Sequence, residues 1–130
     1  TYCSATGIKR TYSDLLISQH QKVDNGVLID AKYIYKRAVA GEKSAIEAFN
    51  YTGDVLGLAL ANSVAYTSPE AIFLFGGLAL SGDFIFKPTI ESFERNLLPI
   101  YKDKIKILPS QLPENDAALL GAASLIWKEK

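Results

Sequence analysis

The stretch AIFLFGGLALSGD, residues 71–83, decides the fold of this chain. Its first five residues are apolar, and the run lies between Pro69 and Gly76, which is typical of a β-strand buried on both faces. The two glycines that follow permit a sharp turn and the close approach of another group. The final SGD favours the start of a helix. Because ligands of open α/β sheets bind in turns at the carboxyl ends of strands, this turn is the first candidate for a functional site.

The composition is that of one domain, or part of one. The chain has 130 residues, of which 48% are hydrophobic, so a substantial core can form. Fourteen basic and 14 acidic residues cancel, which gives no indication of a polyanionic partner. One cysteine excludes a disulfide framework, and no apolar run is long enough to span a bilayer. Since the sequence contains no methionine and no secretory segment, we expect a fragment of a longer cytoplasmic protein.

The spacing of apolar residues predicts five helices. They cover residues 8–21, 31–39 with Asp30 as N-cap, 43–66, a stretch from 84 to 97, and 115–128. In the third helix, Gly53 and Gly57 lie one turn apart, which allows a neighbouring element to approach closely. From Val55 onward that helix is apolar nearly all round, so we expect its second half to be buried. Pro88 is expected in the first turn of the fourth helix or at a kink.

A second strand is predicted at residues 104–108, where polar and apolar residues alternate. Two strands make a poor sheet by themselves. We therefore expect the remaining strands to lie upstream of this chain. The free edge of the first strand should then be covered by a helix or pair with another copy of the chain.

The glycine turn matches neither specific phosphate-binding fingerprint. The pattern G-x-G-x-x-G is absent, and so is the Gly-Lys-Ser/Thr of a P-loop. Backbone N–H groups beside a helix N-terminus could still face a nucleotide or phosphate. From the residues alone, ligand binding and a purely structural tight turn remain equal alternatives.

The other reactive side chains favour structural roles, and no catalytic set is predicted. His20 lies in a polar stretch and is interpreted as a solvated residue at a helix end. Cys3 has no neighbour that would lower its pKa, which favours a buried or incidental thiol. The carboxylates at helix starts or on a polar helix face, which need no catalytic role, are Asp83, Asp116, Glu47 and Asp54.

Three segments together carry a family resemblance. IFLFGGLALSGDFIFKPTIESF and the later NDAALLGAASL resemble the C-terminal part of ROK-family sugar kinases and repressors, and the N-terminal YCSATGI resembles the segment after that family's zinc motif. The resemblance covers residues 1–130 in the right order. It implies an α/β fold, in which the chain is one domain, the second lobe of the actin-like, ribonuclease H-like ATPase fold. We expect this lobe to be helix-rich, with about two recognisable parallel strands, and to lack its first strands.

The resemblance also implies a site. Gly76 and Gly77 would lie in the loop that receives the adenosine part of ATP, with Leu78 and Ala79 lining it through their backbones. Phe75 and Ala79 depart from the glycine and serine that the family often has there. The family's phosphate-binding motifs, catalytic aspartate, sugar-contacting residues and zinc cysteines would all lie upstream. No catalytic or metal-ligating role is therefore transferred to this chain, which should be inactive alone.

The expected function is that of a glucokinase-like enzyme. By resemblance, the whole protein would transfer the γ-phosphate of ATP, with Mg²⁺, to a hexose or amino-sugar hydroxyl, as a cytoplasmic homo-oligomer without a membrane partner. The alternative is a sugar-responsive ROK-type repressor, which would bind nucleic acid through upstream helices. A third alternative is an unrelated binding domain whose glycine turn is only structural.

Overall fold

The computed structural model describes residues 3–20 and 28–112. Within these ranges the chain forms four helices and two strands, in the order α1 (Ala5–Ser18), α2 (Ala31–Val39), α3 (Lys43–Thr67), β1 (Ala71–Leu74), α4 (Asp83–Asn96) and β2 (Lys106–Pro109). Two short 3₁₀ turns, Ala79–Ser81 and Pro99–Tyr101, flank α4. The predicted helix at 115–128, with Asp116, lies outside the described residues.

The starts of α1 and α2 follow from side-chain caps. The Asp30 carboxylate accepts a hydrogen bond from the Tyr33 N–H at 2.6 Å, so α2 begins at Ala31 as predicted. Helix α1 begins at Ala5, three residues earlier than predicted, because the Ser4 hydroxyl accepts from the Gly7 N–H at 3.0 Å. Sequence spacing alone placed that start at the first apolar residue and missed the serine cap.

The close approach predicted at the two glycines of α3 is confirmed. A Cβ atom on Gly57 would lie 2.4 Å from the carbonyl oxygen of Thr89, and one on Gly53 would lie 2.6 Å from Cγ of Pro88. Of the two positions expected for Pro88, a first turn or a kink, the first turn is wrong, since Pro88 lies in the second turn of α4, and the kink stays a prediction. Proline is normally excluded from a helix interior, but here its ring fills the space that Gly53 leaves open.

The second half of α3 is not buried all round. Leu58 and Tyr66 are 45% and 90% exposed. Only the line formed by Gly57, Ala61 and Val64 is buried there. The physical reason is that, among the described residues, α4 and the strands cover a single side of this half-helix. The apolar composition of this segment therefore overestimated its burial.

The two strands pair in parallel, with Ala71 beside Lys106 and Leu74 beside Pro109, and α4 connects them. One face of this pair is part of the core, where Ile72 and Ile107 pack with side chains of α3 and α4. The opposite face leaves Phe73 64% exposed. The prediction of a strand buried on both faces is thus wrong for the described residues, which place a helical layer on one face only.

Two adjoining cores hold the helices. The first joins α1, α2 and α3 around the buried side chains of Tyr12, Ile34 and Phe49. The second joins α3 and α4 to the sheet around Val64 and Phe93. Burial of each such side chain contributes on the order of 1.5–3 kcal/mol to folding. The turn after β1 lies between Leu74, which packs against the second core, and Leu78, which packs against the first, so both cores position it.

Candidate functional site

The segment that connects β1 to α4, residues 75–82, is the glycine loop. Its backbone closes on itself: the Ala79 N–H donates to the Gly76 carbonyl at 2.9 Å, and the Ser81 N–H donates to that of Leu78 at 3.1 Å. Gly76 has a φ of 102°, in the left-handed region that favours glycine. A Cβ atom there would meet nothing within 4 Å, so the backbone conformation, and not crowding, requires glycine at this position.

The loop ends where α4 begins. Gly82 has a φ of 55° and is the N-cap of α4, whose first residue is Asp83, as the sequence predicted. Asp83 forms an ion pair with Lys87 at 3.0 Å, one turn further along the helix. Both side chains are largely exposed, so the pair contributes little to stability. This supports the interpretation of Asp83 as a helix-start residue.

The four residues predicted to bind a nucleotide do not face one space. Gly76 and Ala79 line a cleft beyond the ends of the strands, whereas Gly77 lines a second cleft beside α2. Leu78 packs against the first core, which leaves its backbone as the part available to a ligand. The glycine loop is therefore a partition between two clefts, and the sequence pattern gave no indication of this.

The first space, here the strand-end cleft, has a volume of about 320 Å³. Its lining is apolar apart from one hydroxyl and consists of Leu74, Phe75, Gly76, Ala79, Leu80, Pro109, Ser110 and Leu112. The Ser110 hydroxyl accepts from the Leu112 N–H at 3.2 Å, and the Ser110 N–H donates to the Leu74 carbonyl at 2.9 Å. With no charged side chain in this described lining, the cleft suits an apolar group better than a phosphate.

The second space, here the α2 cleft, has a volume of about 380 Å³. It lies between the start of α2 and the glycine loop, and its lining combines charged, aromatic and small residues: Ala5, Asp30, Ala31, Lys32, Tyr35, Gly77, Leu80 and Ser81. The contribution of α2 was missed by sequence reasoning. No local signal could have found it, because more than 40 residues separate Tyr35 from Gly77 and they come together only through tertiary packing, which includes the contact of Tyr35 with Phe84 of α4.

The remaining polar residues singled out in the sequence have structural roles. Asp54 pairs with Arg95 of α4 at 2.9 Å, and Glu47 accepts from the side-chain amide of Gln19 at 3.2 Å. His20 is exposed and has a φ of 54°, which ends α1. Within residues 3–20 and 28–112, no group of three or more His, Cys, Asp or Glu side chains is placed to hold a metal ion.

The thiol of Cys3 is not activated as a nucleophile. It is partly buried, and its sulfur is 3.9 Å from the carbonyl oxygen of Thr52, to which it donates. Burial raises the pKa of the Cys3 thiol. The thiol therefore stays protonated near neutral pH, in agreement with the incidental role inferred from the sequence.

Comparison with known proteins identifies the family. The model of the ROK family matches residues 1–129. The chain belongs to the ROK family. Over its whole length it is 29% identical to a glucokinase from Halalkalibacterium halodurans. The chain spans about two-fifths of the length of the curated glucokinases it matches, so this ROK chain corresponds to part of those proteins.

Solved structures agree on the fold. A ROK family glucokinase from Streptomyces griseus, crystallised with glucose and AMPPNP, superposes with a TM-score of 0.80 at 25% identity, covering 95% of this chain and 42% of that one. A ROK family transcriptional regulator superposes with a TM-score of 0.73 at 19% identity, covering 85% of this chain and 28% of that one, which concerns the fold alone. The chain therefore has the actin-like ATPase fold of ROK sugar kinases, helix-rich with two parallel strands, as the sequence predicted. In the described part of the chain, no helix is long and apolar enough to cross a membrane.

Proposed function

We propose that the whole protein is an ATP-dependent sugar kinase that transfers the γ-phosphate of ATP to a hexose hydroxyl. We propose further that this chain supplies the loop that binds the adenosine part of ATP. The observation that carries the first statement is the similarity to glucokinase over the full length of the chain. The second is supported by the position of the glycine loop at the carboxyl end of β1, where α/β sheets bind ligands.

The chemistry of the loop suits a nucleoside better than a triphosphate. At Gly76 and Gly77 the backbone carries no side chain, so a flat ligand can approach it closely. The exposed side chain of Leu80 adds apolar surface next to both clefts. Only Asp30 and Lys32 are charged among the described residues of the two clefts, and the Asp30 carboxylate already caps α2.

The catalytic groups belong, in this proposal, to the part of the protein outside this chain. Phosphoryl transfer depends mainly on positioning the phosphates and neutralising their charge with Mg²⁺ and basic groups. Neither cleft offers a set of carboxylates for Mg²⁺ among its described residues. The chain would bind and orient the nucleoside and would be inactive alone, and the zinc site that the family resemblance implies would lie upstream.

Substitution of Gly76 tests the adenosine role, with Gly41 as a matched control. Both glycines have positive φ, 102° and 84°, and a Cβ atom on either would meet nothing within 4 Å. Gly76→Ala and Gly41→Ala should therefore introduce a similar backbone strain, on the order of 1–2 kcal/mol. Because Gly76 lies in the loop itself, this strain favours loop conformations other than the one that binds adenosine, and the KM for ATP should rise roughly tenfold in Gly76→Ala only.

The measurement is steady-state kinetics of the full-length protein with ATP and glucose. The KM for ATP should be unchanged in Gly41→Ala, which lies in the turn between α2 and α3 and lines neither cleft. An equal KM for ATP in the two variants would refute the adenosine role of the loop. Absence of phosphorylation of any hexose by the wild-type protein would refute the kinase proposal itself.

A sugar-responsive repressor is the second candidate, because a transcriptional regulator shares this fold. The two functions make opposite predictions for the full-length protein. A kinase should consume ATP when glucose is added, whereas a repressor should bind operator DNA and release it with sugar. Operator binding without sugar-dependent ATP consumption would replace the first proposal with the second.

Self-association also remains a proposal. Within the described residues, β1 pairs with β2 on one edge only, and Phe73 exposes an apolar ring beside it. An open strand edge next to apolar surface promotes pairing with another chain. We propose that this chain, produced without the upstream strands, associates with another copy through this edge, and analytical ultracentrifugation of the chain would contradict this if it found a monomer at all concentrations. The homo-oligomer expected for the full-length protein is a separate proposal, because the upstream strands are expected to pair with this edge there.

A further inference from the structure

We propose that Tyr35 of α2 forms the wall of the nucleotide site opposite Gly77, so that the base lies in the α2 cleft between the tyrosine ring and the glycine loop. The inference rests on the proposed adenosine role of that loop. It adds a positioning residue from an element that the glycine motif does not include. It also chooses between the two clefts that the loop separates.

The first support is the position of the ring. Tyr35 and Gly77 line the same cleft of about 380 Å³, which lies within the size range of small-molecule sites. Tyr35 is 36% exposed, so part of its surface faces the cleft and part packs on the protein. The same cleft is lined by Gly77, which has no side chain, and by Leu80, which is 73% exposed. A flat group could contact the ring on one side and the loop on the other.

The second support is that the ring is held in place from the core. Tyr35 makes an edge-to-face contact with Phe84, with ring centroids 5.8 Å apart and planes at 85°. Phe84 in turn contacts the fully buried Phe49, also at 5.8 Å. This aromatic series runs from the first core to the α2 cleft. Because the orientation of Tyr35 is fixed in this way, less side-chain entropy is lost when a ligand stacks on it.

The third support is the polarity of the cleft. The edges of an adenine base carry both hydrogen-bond acceptors and an exocyclic amine donor. The α2 cleft offers the Lys32 ammonium as a donor and the Asp30 carboxylate as an acceptor. Among its described side chains, the strand-end cleft offers only the Ser110 hydroxyl, which accepts from the Leu112 N–H and keeps its own proton to donate. A base placed in the strand-end cleft would therefore find fewer polar side-chain partners than in the α2 cleft, which is less favourable.

Calorimetric titration of the full-length protein with AMPPNP tests the proposal without requiring turnover. Tyr35→Leu keeps apolar bulk against Phe84 but removes the aromatic face, and it should raise the Kd about three- to tenfold. Tyr35→Phe keeps the ring and should bind as wild type does. Tyr66→Leu is the control, because Tyr66 lies at the end of α3, is 90% exposed and lines neither cleft. Glucose affinity should be unchanged in all three variants.

Two glycine-loop variants separate the clefts. Gly77→Leu adds a side chain to a residue that lines the α2 cleft, and Ala79→Leu enlarges the side chain of a residue that lines the strand-end cleft. We expect the larger loss of AMPPNP affinity from Gly77→Leu. Wild-type affinity in Tyr35→Leu, or a larger loss in Ala79→Leu, would overturn the assignment of the base to the α2 cleft.

The outcome for Gly76→Ala shows which proposal has failed. If Gly76→Ala weakens AMPPNP binding while Tyr35→Leu does not, the adenosine loop stands and the role of Tyr35 is refuted. If both variants bind AMPPNP as tightly as the wild-type protein does, the adenosine role of the loop and the role of Tyr35 are both refuted.

Discussion

The substitution Gly57→Ala should destabilise the fold by forcing α3 and α4 apart. Its added Cβ would lie 2.4 Å from the Thr89 carbonyl oxygen and 2.7 Å from the Phe93 nitrogen, both backbone atoms. Ordinary contact needs roughly 1 Å more than the shorter distance, and overpacking of this kind costs about 3 kcal/mol. Alanine recovers about 1 kcal/mol in helix propensity, so we expect a net loss of about 2 kcal/mol. For a domain of this size that corresponds to a fall in Tm of about 8 °C.

Two control variants separate crowding from propensity. Ala59→Gly, on the exposed side of α3, measures the propensity term in isolation. Gly53→Ala should cost less than Gly57→Ala, because its nearest obstacle is the ring of Pro88 and not a backbone carbonyl. Thermal unfolding gives the Tm values, and amide hydrogen exchange in α3 and α4 shows where protection is lost. A Gly57→Ala variant as stable as wild type would refute the close-packing account.

Two further predictions concern α2 and its connections. The Tyr12 hydroxyl donates to the Glu42 carboxylate at 2.5 Å, and Arg37 forms an ion pair with the same carboxylate. Burial of the phenol, together with the Glu42 carboxylate, raises the pKa of Tyr12 to about 12. Because the phenol titrates near pH 10 in the unfolded chain, its stabilising contribution is present below that pH and is lost between about pH 10 and about 12. In Tyr12→Phe, urea unfolding should show a free energy of unfolding about 1–2 kcal/mol lower at neutral pH. The fall of this free energy between about pH 10 and about 12 should be smaller than in the wild-type protein. A fall as large as in the wild-type protein would contradict the role of the Tyr12 hydroxyl. Asp30→Ala removes the N-cap of α2 and should lower the free energy of unfolding by about 1 kcal/mol. Asp30→Asn keeps an acceptor and should lower it less. Equal losses of stability in the two variants would contradict the capping role.

Local sequence signals predicted those features that depend on short-range chemistry. Asp30 fixed the start of α2, the strand at residues 71–74 ended in its glycine turn, and the spacing of Gly53 and Gly57 identified the closest helix contact. Each of these depends on residues within about one turn or on a missing Cβ atom. Such signals remain readable in a single sequence.

The sequence could not predict features that depend on what covers a surface. The apolar second half of α3 and the outward ring of Phe73 were expected to be buried, but the described residues leave them exposed. For the same reason, the contribution of Tyr35 to the α2 cleft was missed, since it arises from tertiary packing and not from a motif. The family resemblance predicted the glycine loop as part of the site but did not predict the contribution of Tyr35.

A crystal structure of the full-length protein with AMPPNP would show directly which cleft holds the nucleotide. We expect the base in the α2 cleft, in van der Waals contact with Gly77 and with the ring of Tyr35. The phosphates should point away from the strand-end cleft. A nucleotide bound without contact to the glycine loop would contradict the claim that this chain supplies the adenosine site.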